Sequence, residues 1–502
     1  MNILQVKQKL LNLPDVEVTE RVQTRVDYFY YQGKSIDLEA AKNDPILLGQ
    51  NWISNDKVDY NQVQDIRNKV KPLLKKQARF MFGKEPTISI KPNDFKNKEK
   101  CEEIRQFIDD IFENNKFWKR TKQAFLNSTI KKRVLLRMEI NPGIPIRLKY
   151  EDIENFSYSE VEGELTLVRF FEEDINNINK IDSKDMIYYI HTYYYDKIEK
   201  DKEVSNTNPI KVWYKKEEFK GDKLDKPILL QNENTGLDKI PCWLIKNGGD
   251  LDEPFGETDL SDLKDAQNQY NKKVSDFAEA IAFQMFGVPS IIDAEPEDVE
   301  NFVVAPGAIH AMRTRQDSDK QAQYKINEYN MSNSQAVDSY LDRAQRDMEF
   351  IMDMPSLKDL NNIPSAKAMR YLYNDLIIRC EDKWTDWEPV FRELIEYILS
   401  VAKMCYDSIP VGYNTIPFTI ILKHNYPLPS DEEEKKKLGM EEVKNNVRSV
   451  KSYIKEFTDE EDSEAAFNEI IAENKMLNEA EMTDSFQTGV TQELDDQGAL
   501  NE

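Results

Sequence analysis

Between Gly256 and Met354 the chain carries two long stretches whose apolar residues recur at helical spacing along one narrow stripe, and this constrains the fold more than any other feature. In the first, GETDLSDLKDAQNQYNKKVSDFAEAIAFQMF, the stripe is Leu260, Leu263, Tyr270, Val274, Phe277, Ile281 and Met285. One narrow apolar stripe on an otherwise polar helix can neither sit in a core nor stand alone in water, so it demands a partner helix. Thr258 or Asp259 is placed to cap its start, and Gly287 with Pro289 ends it. At about 1.5 Å per residue, ~27 residues give a rod of roughly 40 Å. The second stretch, Ser334 to Met354, repeats the stripe through Val337, Tyr340, Leu341, Ala344, Met348, Ile351 and Met352. Val288 to Asn330, between them, holds a strand-like SIID, an acidic EPEDVE and a turn at VAPGAIH. The expectation is a two-helix stalk with a small α/β module at one end.

Pro355 and Pro364 bracket the next segment, PSLKDLNNIP, in which neither flank can continue a helix. Ser365 then caps a third helix of about 40 residues, with the stripe Leu372, Leu376, Cys380, Trp384, Trp387, Phe391, Leu394, Ile398, Val401 and Cys405. Pro389 lies deep inside that pattern. It removes one backbone hydrogen bond and crowds the preceding turn, which predicts a bend near Thr385 to Trp387. A strand candidate follows (PFTIILKH, Pro417 to His424), then an acidic helical region from Asp431 to about Glu479 and a polar end that reads as disordered.

The first 255 residues mix both periods. Helix candidates are Tyr60 to Phe82 and Cys101 to Leu126, where Ile104, Phe107, Ile108, Ile111 and Phe112 recur at helical spacing. Strand candidates are Val134 to Ile140, Leu165 to Phe171 and the aromatic run Met186 to Tyr195, MIYYIHTYYY. The fold class is therefore α+β, predominantly helical.

Charge bears on partners. The net charge is −24, and residues 430–502 carry 21 acidic against 8 basic residues. A protein that grips nucleic acid clusters Lys and Arg, so the chain as a whole repels DNA. No stretch approaches ~20 apolar residues, which argues against a membrane span, and the start lacks the order of a secretory signal. Four scattered cysteines (Cys101, Cys242, Cys380, Cys405) show no metal or disulfide pattern, pointing to a reducing, intracellular setting. Phosphate-loop motifs are absent, and Gly248-Gly249 is too short to serve as one. His191, His310 and His424 lie far apart without ligand spacing. The acidic run Asp459 to Asp462 lacks the alternation and glycine of a calcium loop. Trp384, Trp387 and the tyrosine run lack interleaved cations, which favours packing over base stacking. The reading is a non-enzyme without cofactors or metal.

The order of these elements, together with RVDYFYYQGK (Arg25 to Lys34), NKVKPLLKKQARFMFGKEPTI (Asn68 to Ile88) and GLDKIPCWLIKNGGDLDEPFGETDLSDLKDAQNQYNKKVSDFAEAI (Gly236 to Ile281), resembles the phage portal proteins of the SPP1 Gp6-like group. The resemblance runs from about Arg21 to Asp431. It implies an α/β wing over 1–255, a stem helix over 256–287, a clip over 288–331, a second stem helix over 332–354 and a tunnel loop over 355–364. Beyond these it implies a long kinked helix over 365–408, a strand returning to the wing over 409–429, a helical crown over 430–480 and a disordered tail over 481–502. By the same resemblance, Leu357, Lys358, Asp359, Leu360, Asn361 and Asn362 would face a central DNA channel, Lys358 being the guiding cation and Asp359 offsetting it. Pro389 would set the helix bend.

The implied assembly is a ring of about twelve subunits, closed by repeated head-to-tail contacts, at a capsid vertex of the virion. Implied partners are double-stranded DNA passing non-specifically, the terminase large subunit, a head-tail adaptor, and the major capsid and scaffold proteins, without membrane. Strong negative charge suits a conduit that must not hold its cargo. Alternatives are another structural virion protein, such as an adaptor or minor capsid protein, a coiled-coil scaffold, or a nucleic-acid-processing enzyme with paired carboxylates. With 92 acidic residues such pairs carry no information.

Overall fold

The computed structural model describes residues 3–33, 65–180, 182–195, 211–221, 223–249, 253–286, 288–300, 312–317, 319–327, 334–356, 366–428, 432–458, 462 and 464–476. The chain forms two compact units, one of residues 1–361 and 373–427, the other of 362–372 and 428–502.

The core of the larger unit is built where strand and helix periods both ask for burial. Arg133–Asn141 is the middle strand of a three-stranded antiparallel sheet, between Ile144–Glu151 and Cys242–Lys246. Val134, Leu135, Leu136 and Met138 are buried, which explains an apolar run without alternation. The long helix Asn374–Cys405 lies on this sheet, and Leu376, Cys380, Trp387, Phe391, Leu394, Ile398, Val401 and Cys405 of the expected stripe are all buried. Phe82 stacks edge-on against Phe125 at 5.5 Å and Trp387 at 5.4 Å, and Phe117 meets Phe391 at 5.7 Å. Each such ring contributes about 1.5–3 kcal/mol by burial alone.

A second, five-stranded antiparallel meander runs in the order Phe156–Val161, Glu164–Glu173, Ile187–Tyr195, Val212–Lys220, Lys223–Asn234. The tyrosine run is its central strand. Tyr188, Ile190 and Thr192 turn inward, and the first two join a small core with Phe171, Phe219, Leu224 and the helix Ile3–Leu11. The strand Phe418–Lys423 pairs antiparallel with Thr87–Pro92, joining residues more than 300 positions apart.

The two striped helices form as Ser261–Phe286 and Ser334–Ile351 and pack together. The module between them is a hairpin of Val288–Ile292 and Gln323–Asn327 with a short helix, Pro296–Glu300. The stripe is buried at Leu260, Leu263, Tyr270 and Val274, whereas Ile281 and Tyr340 are 39% and 45% exposed. Among the described residues the rod's apolar surface is thus only partly covered.

Three expectations are corrected, and one pair of alternatives is resolved. The helix expected over Tyr60 to Phe82 begins only at Val70. Residues 65–69 run as non-helical chain along the first rod helix, held by buried Gln267, Asn271 and Ser275. Asp65 N–H donates to Ser275 Oγ at 3.0 Å, Arg67 N–H to Asn271 Oδ1 at 3.1 Å and Lys69 N–H to Gln267 Oε1 at 2.8 Å. The periods match: four helical residues rise ~6 Å and two extended residues advance about 6.6 Å.

The stretch Cys101 to Leu126 is two helices, Lys98–Asn114 and Phe117–Lys131. Asn115 breaks it by turning its side chain inward, donating to Ile111 O and Ile146 O and accepting from Leu148 N–H, while Lys116 takes φ 49°.

The third helix is interrupted at Tyr373, which leaves helical geometry at ψ 7° as its ring stacks on Phe80 at 5.5 Å. Ala366–Leu372 and Asn374–Cys405 are separate helices in different units.

Asp259 does not cap the first rod helix. Thr258 Oγ1 accepts the Leu260 N–H at 3.3 Å, and Asp259 is used elsewhere.

In the smaller unit, Glu432–Lys444 packs on Val450–Phe457. A Cβ at Gly439 would come within 2.9 Å of the Phe457 ring, so glycine is needed at that crossing. Ser449 caps the second of these helices, accepting from Ser452 N–H. Asp462 caps the helix over 464–476 through Glu464 and Ala465 N–H, which gives one residue of the acidic run a structural use.

Candidate functional site

The rod is anchored where its two ends meet the long helix. Asp259 stands just before the first rod helix, and Asp353 just after the second, at φ 54° and two residues before Pro355. Arg379 and Lys383, four apart on the long helix, present both cations on one face. Lys383 Nζ donates to Asp259 Oδ1 and to Asn247 Oδ1, each at 2.8 Å. Arg379 Nη1 donates to Asp353 Oδ2 at 3.1 Å and to Ile351 O at 3.3 Å, and Nη2 lies 3.6 Å from Asp259 Oδ2 as an ion pair. Arg379 therefore touches the residue leading into one rod helix and the end of the other.

Asn247, after the strand Cys242–Lys246, closes the cluster from the sheet side. Its side-chain amide donates to Glu257 O at 2.8 Å and Asp259 Oδ1 at 2.9 Å, and its N–H donates to Lys132 O at 2.7 Å. Gly256 is required here: at φ 80°, a Cβ would stand 2.9 Å from Lys132 O. One helical turn beyond, Asp386 accepts the Gly248 N–H at 3.1 Å. The glycine pair thus serves a tight turn.

Burial alone would push the Asp259 carboxyl up, but Lys383 and Arg379 beside it hold it below the usual carboxylate range. The Asp259 side chain is only 6% exposed and Lys383 12%. In such a buried pair, removal of one partner strands the other charge.

Of the residues singled out from sequence, Leu357, Lys358, Asp359, Leu360, Asn361 and Asn362 lie outside the described residues. The described chain before that segment is held at Asp353 by Arg379. Pro389 lies on the same long helix, exposed, six residues past Lys383, and the helix continues through it. Arg379, Lys383, Asn247 and Asp353 were not singled out from sequence. The only signal was two cations flanking buried Cys380 at helical spacing.

His191 lies on the central strand of the meander, its Nδ1 2.7 Å from Tyr214 Oη and its Nε2 2.7 Å from Glu172. His424 Nε2 is 2.6 Å from Met81 O, with its ring 4.9 Å from Trp384 and 4.4 Å from Tyr426. His310 lies outside the described residues. The four cysteines are free and buried, and burial raises the Cys380 thiol to about 12. Among the described residues no group of three or more His, Cys, Asp or Glu is placed to hold a metal ion, and no helix is long and apolar enough to cross a membrane.

A family described as phage portal protein, SPP1 Gp6-like, matches residues 13–480 of the chain. No curated protein matches it.

Proposed function

The chain belongs to the SPP1 Gp6-like family of phage portal proteins, and on that premise we propose that it closes into a ring of about twelve copies at one capsid vertex. Double-stranded DNA is packaged and ejected through the ring's centre, and the terminase large subunit and head-tail adaptor dock on its ends. Major capsid and scaffold proteins surround it, in an assembly built in the host cytoplasm. In this reading residues 1–255 are the wing, the two rod helices the stem, residues 288–331 the clip, and residues 430–480 the crown.

The observation that carries the reading is the rod itself. Its two helices are clamped at one end by Arg379 and carry Ile281 and Tyr340 exposed further along. Apolar surface left over after the helices pair is what a neighbouring copy covers in a head-to-tail ring. The segment Leu357 to Asn362, leaving from the clamp, faces the channel, and Lys358 meets phosphates without sequence readout. Pro389 sets the bend of the long helix. The role is mechanical and involves no bond-breaking step.

Electron microscopy of the purified chain tests this. Rings with a central hole wide enough for a DNA duplex are expected, and monomers or open filaments would overturn the reading. Metal-dependent cleavage of DNA by the pure protein would overturn the mechanical role.

A further inference from the structure

Within this acidic chain two stretches are wholly one-signed. Residues 66–84 hold seven Lys or Arg and no acid, and residues 115–133 again hold seven and no acid. They contain the helices Val70–Phe82 and Phe117–Lys131, which are separated by an acidic helix in sequence yet pack directly on each other, Phe82 against Phe125. Some of these cations have partners: Lys131 pairs with Asp152 at 2.6 Å, and buried Arg133 with Glu17 and Glu20. Lys71 and Lys76 lie over the rings of Tyr31 and Tyr373. Lys75, Arg79, Lys84, Lys116, Lys119, Lys122 and Lys132 have no ion-pair partner among the described residues, and the first five are exposed.

We propose that this packed pair of helices is a contact surface for duplex DNA, separate from the segment at Leu357 to Asn362. Several unpaired like charges on two helices packed together raise the local potential and attract a polyanion. Neither stretch holds a carboxylate, which suits a regularly charged rod read without sequence. The neighbouring helix Lys98–Asn114, with Glu102, Asp109 and Glu113, borders it and limits the footprint to a few phosphates. Such a contact is weak singly, and a ring repeats it once per subunit. The proposal rests on the reading of the chain as a DNA conduit.

The test measures binding of a short duplex to the full-length protein across a salt series. The parent is compared with a Lys75→Gln, Arg79→Gln, Lys119→Gln variant and with a control, Lys435→Gln, Lys436→Gln, Lys437→Gln, which removes the same charge from the smaller unit. The first variant should bind about ten-fold more weakly or worse, with the slope of log affinity against log salt reduced by roughly 0.9 per cation removed. The control should match the parent. Equal binding by all three, an equal loss in both variants, or binding of polyglutamate in place of DNA would each overturn the proposal. Electron microscopy of the same samples keeps the questions apart, since rings indifferent to DNA would overturn this surface alone, whereas absence of rings would overturn the conduit reading.

Discussion

Lys383 Nζ lies 2.8 Å from Asp259 Oδ1, joining the first third of the long helix to the residue that leads into the rod, across 124 residues of sequence. The pair is buried and shared with Arg379 and Asn247, so the rod cannot rotate on the core without breaking it.

Lys383→Met should therefore destabilise the larger unit by about 3–5 kcal/mol, because it leaves Asp259 charged and buried with less compensation. Urea unfolding of parent and variant measures this. Asp259 also predicts a pH dependence. Its folded pKa is depressed, so its stabilisation is present above the unfolded value of about 3.9 and is lost as pH falls through the folded value. The stability gap between parent and Asp259→Asn should hold at pH 7 and shrink below about pH 4.

Gln267→Leu should cost about 1–3 kcal/mol, since it leaves the part-buried N–H of Lys69 and the buried N–H of Val70 without their acceptor. Hydrogen exchange reads it directly, with faster exchange at Lys69 than in the parent. Unchanged protection there would show that the match of helix and extended periods is incidental.

His424 titrates in the opposite sense to a paired surface histidine. Burial among Trp384, Tyr426 and Phe82 lowers its pKa, although the hydrogen bond to Met81 O opposes this. Folding favours the neutral ring, so stability is full above the unfolded pKa of about 6.5 and falls as pH drops below it. Between pH 7 and 5 the parent should lose more stability than His424→Gln, as measured by thermal unfolding across that range.

Deletion of Leu357 to Asn361 should leave rings intact in electron micrographs while lowering packaged DNA per particle, because the clamp that anchors the rod lies outside the deletion. Pro389→Ala restores one backbone N–H and should straighten the long helix, disturbing assembly or packaging. Full infectivity with either change would remove that residue set from the mechanism.

Much of the architecture was legible because periodicity is local. The rod stripes and the stripe of the long helix follow from which face must leave water, and the tyrosine strand from its aromatic-rich run. Breaks were less legible. Asn115 ends a helix only because Ile146 O and Leu148 N–H, from a strand some thirty residues on, accept and donate at its side chain. Tyr373 breaks one because Phe80 is there to stack on.

The sequence by itself determined the mixed class, the paired rods with a module between them and the excess of acid over base in the last 73 residues, since each depends on residue type and spacing along one stretch. Only the tertiary structure decided that Asp259 is a buried anchor and not a helix cap, that Gln267, Asn271 and Ser275 hold residues 65–69, and that two basic helices lie side by side. Those facts depend on partners 43 to 210 positions away, and no local rule of spacing encodes which distant group arrives to satisfy a buried charge or amide.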